Sequence, residues 1–252
     1  RTPERVRDMP AGSTLLKLDV RSDESVATCI DEDVARQGRI DILINNAGIG
    51  QYGRLIKATP QDWNAVFETN LVGVHRVAVA ALPHMQRPDC RIITLGSLEG
   101  ETGYPYQALY AISKRALQTW NDSFDFELRH TNGPRFTLLE PAWVNTGFGV
   151  SPDIVNTEPD SQDIYARKAQ ELFPHCLKQF GIEPLEVAKA LYTIAAMPKP
   201  RLRYFVGMKG ALLMGNSLED ILNIVYTQPP ESMMALLDVI TQAMVAMFPE
   251  HP

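Results

Sequence analysis

Tyr110 and Lys114 stand four residues apart in Tyr110-Ala111-Ile112-Ser113-Lys114, and Ser97 lies thirteen residues before the tyrosine. On a helix, positions four apart share a face, so the phenol and the ammonium can point at one spot. A phenol with an ordinary pKa of about 10 is a weak acid-base catalyst near neutrality. A cation within a few ångströms pulls that value down, and the tuned hydroxyl can then donate or accept a proton at a carbonyl. Two common residues at one spacing equally describe a half-buried tyrosine beside a solvated lysine, so the surroundings decide.

Those surroundings begin with the size of the chain. Its 252 residues can bury a full core and fit one large α/β domain, residues 1–252, better than two small ones. Against 30 acidic residues there are 24 basic ones, a net charge of -6, which argues against nucleic acid as a partner. The three cysteines, Cys29, Cys90 and Cys176, are too scattered for a disulfide framework or a metal knuckle and read as buried thiols. None of the five histidines has a ligand spacing, so no metal is expected. No apolar run reads as a transmembrane span and the first residues carry no apolar signal segment, so the expected location is cytoplasmic.

Short apolar runs alternate with helical patterns along the chain. Residues 14–18 read as a strand ending at Asp19-Val20, and Ser22 caps a helix that Gly38 stops. Residues 41–45 form a buried strand leading into Asn46-Ala47-Gly48. Thr59-Pro60 opens a helix running to about residue 85 with Asn70 in its interior. Further strands are expected at 91–95, 135–139 and 203–206, and helices at 107–130 and 184–197. Such alternation implies right-handed crossovers and a Rossmann-like, doubly wound parallel sheet.

In such a sheet the ligand crevice lies beyond the carboxyl ends of the strands. Asp19, Asn45 to Gly48, Ser97, and Pro141 to Thr146 all follow strands, so four strand ends converge on one face. Residues 147–181 hold Pro152, Pro159 and Pro174 around a polar middle and read as a substrate lid. The Met-rich stretch 231–248 reads as a packing or oligomer helix.

Taken together, Asn45-Asn46-Ala47-Gly48, Asn70, Ser97, Tyr110-x-x-x-Lys114 and Pro141-x-x-Val144-x-Thr146 resemble the short-chain dehydrogenase/reductase family over most of the chain. The resemblance implies an oxidoreductase that interconverts a carbonyl and an alcohol using NAD or NADP. Tyr110 would be the general acid in reduction and the base in oxidation, with Lys114 lowering its pKa and binding the nicotinamide ribose. Ser97 would hydrogen-bond the substrate oxygen, and Asn70 would hold a water of the proton relay. Asp19 and Val20 would meet the adenine, and Asn46, with Ala47 and Gly48, the cofactor ribose region. Pro141, Val144 and Thr146 would flank the carboxamide. A homodimer or homotetramer follows from the same resemblance.

Two departures stand out. Ala142 replaces the family's usual glycine, which restricts the backbone there. The family also begins with a strand, a Gly-rich phosphate turn, a helix and a second strand, and none of this precedes Thr14. The expectation is therefore a fragment lacking on the order of 40 residues, one strand-helix-strand unit. An active dehydrogenase leads, and a non-catalytic or inactive binding module of the same fold is the alternative. For substrate, a lipophilic steroid- or retinol-like molecule stands slightly ahead of a generic small carbonyl, on the segment Ser97 to Gly100, Tyr104 to Tyr106 and on Phe148, Ile154, Ile164 and Phe173.

Overall fold

The computed structural model describes residues 9–101, 106–150, 155–156 and 181–207. Its first helix, α1 (Asp23–Gln37), is bounded as its end residues dictate. Ser22 accepts from the Ser25 N–H at 3.2 Å, and Gly38 closes the helix at φ 78°, donating to the Val34 carbonyl. Strand β1 (Ile42–Asn45) and the short β2 (Gln51–Tyr52) follow.

Thr59 caps α2 (Pro60–Phe67) in a reciprocal box with Asp62. The single helix expected over residues 60–85 is interrupted. Glu68–Val72 widen into a π turn before α3 (Gly73–Ala81), and Leu82–His84 tighten into a 3-10 turn. The interruption has a local cause: Asn70, in the wide turn, turns its side chain to the loop after β1. Within Pro60–His84 an 18-residue window reaches a mean hydropathy of 1.3, enough by length and composition to cross a membrane, although no such span was expected from the sequence. Val66, Val74, Val77, Ala78 and Ala81 of this stretch are buried in the core.

Strand β3 (Arg91–Leu95), helix α4 (Ala108–Leu128), strand β4 (Arg135–Pro141), the two-residue β5 (Val155–Asn156), helix α5 (Pro184–Ala196) and strand β6 (Arg203–Val206) complete the described elements. β1, β3, β4 and β6 lie side by side in that order, all parallel, while β2 and β5 make a separate parallel pair. Ile92, Phe136, Ala78, Ala81 and Met85 pack with Trp120 and Phe124 between the sheet and the α1, α3, α4 layer. On the other face Ile93, Leu95 and Leu139 meet Ile194 of α5. Helices on both faces of a parallel sheet make this the doubly wound, Rossmann-like α/β fold.

The strand expected at 14–18 does not form. This segment is irregular, and no strand lies beside it among the described residues, so its backbone has no ladder partner. β1 consequently borders the sheet, with Ile42 and Ile44 45% and 43% exposed. Cys90 is buried as expected, whereas Cys29 is only half-buried. Of the expected lid, 151–154 and 157–180 lie outside the described residues, as does the whole of 231–248.

Candidate active site

The sheet register brings the site together. Asn45 is level with Thr94, and Thr94 with Leu138, so β1, β3 and β4 run out at one edge. Ser97 lies two residues past β3 in extended backbone and begins the turn Leu98–Gly100. Its Oγ accepts from the Glu99 N–H at 3.1 Å. That turn lies against the backbone of α4: a Cβ at Gly100 would come within 3.0 Å of the Lys114 carbonyl carbon. Close approach carries Ser97 toward Tyr110, near enough that the serine pulls the phenol's pKa down. The start of α4 has no side-chain cap of its own; Gln51, buried on β2, instead accepts from the Leu109 N–H at 3.2 Å.

Lys114 projects from the next turn of α4. Its Nζ donates to the Leu95 carbonyl at 2.7 Å and sits 5.5 Å from the centre of the Tyr110 ring. Burial pushes its pKa down to about 8, against the charges of Glu140 and Glu99, which hold it up. Tyr110 does not follow expectation: its pKa is raised, not lowered, first by burial and then by the charge of Glu99, with only Ser97 pulling it down. The tyrosine is half-buried, with its ring 5.6 Å from that of Phe148.

Asn70 is placed by the π turn and is fully buried. Its Oδ1 accepts from the Ile49 N–H at 2.8 Å, and its Nδ2 donates to the Ile49 carbonyl at 2.9 Å and to Ser113 Oγ at 3.0 Å. Ser113 passes the link on, donating to the Tyr110 carbonyl at 2.7 Å. The side chain thus fixes the loop after β1 against the helix that bears Tyr110.

The residues expected to hold the cofactor are placed unevenly. Asn46 and Ala47 are exposed past β1, with Gly48 half-buried behind them. A Cβ at Gly48 would stand 3.5 Å from Asn70 Oδ1 and 3.8 Å from Lys114 Nζ, so its lack of a side chain leaves the approach to the lysine open. Lys114 commits one of its three N–H donors to Leu95, which leaves two for hydroxyl groups. Pro141 is buried at the end of β4, Val144 bridges to Ile182, and exposed Thr146 accepts from the Phe148 N–H. This donor set and opening suit a nicotinamide ribose. At the other end, the Asp19 carboxylate is engaged by the Arg21 guanidinium at 2.7 Å. Val20 packs into the core with Val26 and Val77, so its side chain does not face a ligand.

Several residues were missed by sequence reasoning. Glu99 is 6% exposed, interacts with the Trp143 side chain, and burial lifts its pKa to about 7. Glu140 is fully buried; Gln118 donates to it at 2.7 Å and to Glu101 at 2.5 Å, and burial raises its pKa to about 8. Among the described residues Glu99 Oε2 and Glu140 Oε2 have no hydrogen-bond partner. A carboxylate two residues after Ser97, and another just before Pro141, were the only signals, and either position can face solvent in an unfolded string of letters. Among the described residues there is no cluster that would hold a metal.

The sequence profile described as short chain dehydrogenase matches residues 4–152. Over 210 residues the chain is 31% identical to 3-ketodihydrosphingosine reductase of Bacteroides thetaiotaomicron, covering 81% of this chain and 76% of that protein. It is 33% identical to retinol dehydrogenase 8 of Bos taurus and 31% identical to human 17-beta-hydroxysteroid dehydrogenase type 1, over 75% and 84% of this chain. The matched region spans only 62% and 65% of the length of those two proteins. A short chain dehydrogenase/reductase from Burkholderia phymatum, solved in complex with NAD, superposes with a TM-score of 0.70 at 23% identity, over 85% of this chain and 78% of that one, and so shares the fold. With the profile covering more than half of its residues, the site included, the chain belongs to the short-chain dehydrogenase family.

Proposed function

We propose that this protein is an NAD(P)-dependent oxidoreductase interconverting a carbonyl and an alcohol, with Tyr110 as proton donor, Ser97 as second donor to the substrate oxygen, and Lys114 as the charge beneath them. The observation that carries the reading is the convergence of three groups: Ser97 bears on the Tyr110 phenol and pulls its pKa down, and the Lys114 ammonium sits 5.5 Å from the centre of the tyrosine ring. The nicotinamide, when bound, supplies or takes the hydride. As negative charge builds on the carbonyl oxygen, both hydroxyls donate to it, an oxyanion-type role worth roughly 3 kcal/mol per well-placed donor. Burial keeps the Tyr110 phenol protonated at neutral pH, the form a proton donor starts from, while the raised pKa makes it a weaker acid that the cation of Lys114 must offset. Lys114 offsets the charge of the phenolate left behind, and its two uncommitted N–H groups would hold the cofactor ribose, with Asn46 to Gly48 alongside and Pro141, Val144 and Thr146 at the carboxamide. Asp19 is the one remaining candidate at the adenine end. The Asn70 side chain acts by fixing backbone, through its bonds to Ile49 and Ser113.

For the substrate, a lipophilic ketone or alcohol of the steroid or retinol type is favoured. Phe148 shields Tyr110 with an apolar ring, and the retinol and hydroxysteroid dehydrogenases are among the similar proteins. Exposed Val79, Ile112 and Phe126 offer helix faces for a homodimer or homotetramer.

Titration with NADH and NADPH, followed by cofactor fluorescence, and a panel of ketones and secondary alcohols test the reading. Tyr110→Phe is expected to abolish turnover while leaving cofactor affinity nearly intact; retained turnover would sink the assignment. Cofactor binding with no turnover on any substrate would favour a binding module of the same fold.

A further inference from the structure

Gln118 is a buried amide that the chemistry above does not use. It stands one turn beyond Lys114 on α4, so Tyr110, Lys114 and Gln118 form one stripe at four-residue spacing. Its Nε2 donates at 2.7 Å to Glu140 Oε1, on β4, and at 2.5 Å to Glu101 Oε1, on the residue that closes the turn Leu98–Gly100. Only the nitrogen end of an amide can donate, so both of its N–H groups are committed to these carboxyl oxygens. The same nitrogen lies against the turn itself: a Cβ at Gly100 would come within 3.3 Å of it. Glu140 meets the other end of the segment, since a Cβ at Gly96 would stand 2.8 Å from its Cγ. Ser97 therefore lies between two points, Gly96 and Glu101, that the Gln118–Glu140 pair meets from the interior. Arg115 also reaches Glu101, at 3.2 Å, but its side chain is 61% exposed, and a solvated ion pair of that kind holds little. Arg203 stands 4.0 Å from Glu101 and is engaged by Asp122 at 2.5 Å, which leaves the buried amide as the firmer tether.

We propose that Gln118 is a positioning residue: seated on Glu140, its amide clamps the end of the turn Leu98–Gly100 through Glu101 and so holds Ser97 in place beside Tyr110. It acts through Ser97 and touches none of the reacting atoms. The turn cannot hold that place alone. Its own backbone bonds, from the Gly100 N–H to the Ser97 carbonyl at 2.9 Å and from the Glu101 N–H to the Leu98 carbonyl at 3.0 Å, give it shape but tie it to nothing outside itself. Gln118 ties it to α4, the helix that carries Tyr110 and Lys114, so the serine, the tyrosine and the lysine share one frame. A donor is what the position requires. Glutamate would fill the same space with a third carboxyl group facing Glu140 and Glu101, and methionine would fill it with no donor at all. The catalytic consequence rests on the redox reading of Ser97; the clamp itself does not.

The test compares the full chain with Gln118→Glu and with Gln118→Met, the second being read alone if the first does not fold. Amide hydrogen exchange over residues 96–101 should run on the order of 10-fold faster in the variants, while the amides of α4 around Tyr110 and Lys114 keep their protection. On an accepted ketone, kcat/KM should fall roughly 10- to 100-fold, the scale of a small misplacement of a reacting group. Cofactor affinity, followed by fluorescence titration with NADH and NADPH, should hold, because Lys114 keeps its place; a merely structural loss would lower both together. Unchanged exchange at 96–101, unchanged kcat/KM, or a loss of cofactor affinity in step with kcat/KM would each overturn the proposal. Faster exchange of the turn in the variants, with no turnover of any ketone or alcohol by the natural chain, would instead sink the redox reading while leaving the clamp standing.

Discussion

Lys114 donates to the main-chain carbonyl of Leu95 at 2.7 Å, so the helix bearing the tyrosine is pinned to the strand that delivers the serine. One side chain thereby sets the spacing between two elements and supplies the charge below the phenol. Lys114→Met keeps the apolar stem but removes both the pin and the charge. Turnover should fall on the order of 100-fold or more in kcat/KM, measured by steady-state kinetics on an accepted ketone. Thermal unfolding should move little, because a desolvated ammonium leaves with the pin. Near-normal turnover would mean that the cation is dispensable.

Asn70 and Ser113 should separate by size of effect. Asn70→Ala strips the buried Ile49 N–H and carbonyl of their partners and is expected to cost roughly 3 kcal/mol. Ser113→Ala leaves both Ile49 bonds in place and should cost only about 1 kcal/mol. Urea unfolding midpoints decide the order; equal losses would show that the Ile49 clamp carries no special weight.

Stability should pass through a minimum with pH. Burial raises Glu99 to about 7 and Glu140 to about 8, above the ordinary 4.5 of an unfolded glutamate. Between those values the folded chain holds protons that the unfolded chain has lost, so stability falls as pH rises from about 4.5 toward 8. Lys114 is depressed by burial to about 8 from 10.5, so the unfolded chain binds more protons above pH 8 and stability rises again. These three groups therefore place a minimum near pH 8. Denaturant titrations from pH 5 to 10 measure it, and Glu140→Gln should flatten the descending limb. A monotonic rise through pH 8 would contradict it.

Two glycines at the site should respond oppositely to alanine. A Cβ at Gly96 would meet Glu140 Cγ at 2.8 Å and Leu138 Cγ at 3.2 Å, both on buried side chains. Gly96→Ala should therefore cost about 1 to 3 kcal/mol through overpacking and shift Ser97. Gly147→Ala has nothing within 4 Å and should leave the melting temperature unchanged. Similar melting shifts for the two would argue against crowding at Gly96.

The helix ends were legible because local chemistry sets them: Ser22, Gly38 and the Thr59-Pro60 pair act on backbone within a few residues. Strands β1, β3 and β6 were also legible, since runs such as Ile42-Leu43-Ile44 admit few alternatives. The break at Glu68–Val72 was not, because it depends on Asn70 finding Ile49, 21 residues earlier. The strand expected at 14–18 failed for a related reason: a strand needs a neighbour, and residue preference alone does not supply one.

By itself the sequence determined the residue types and their spacing: a tyrosine and a lysine one helical turn apart, a serine after a buried strand, and small or polar residues at strand ends. Only the tertiary structure decided their protonation and their company. Burial and Glu99 raise the phenol that Lys114 was expected to lower, Asn70 becomes a clamp, and Val20 becomes core. Spacing is a property of the chain, whereas desolvation and field depend on what folds around each group from distant positions.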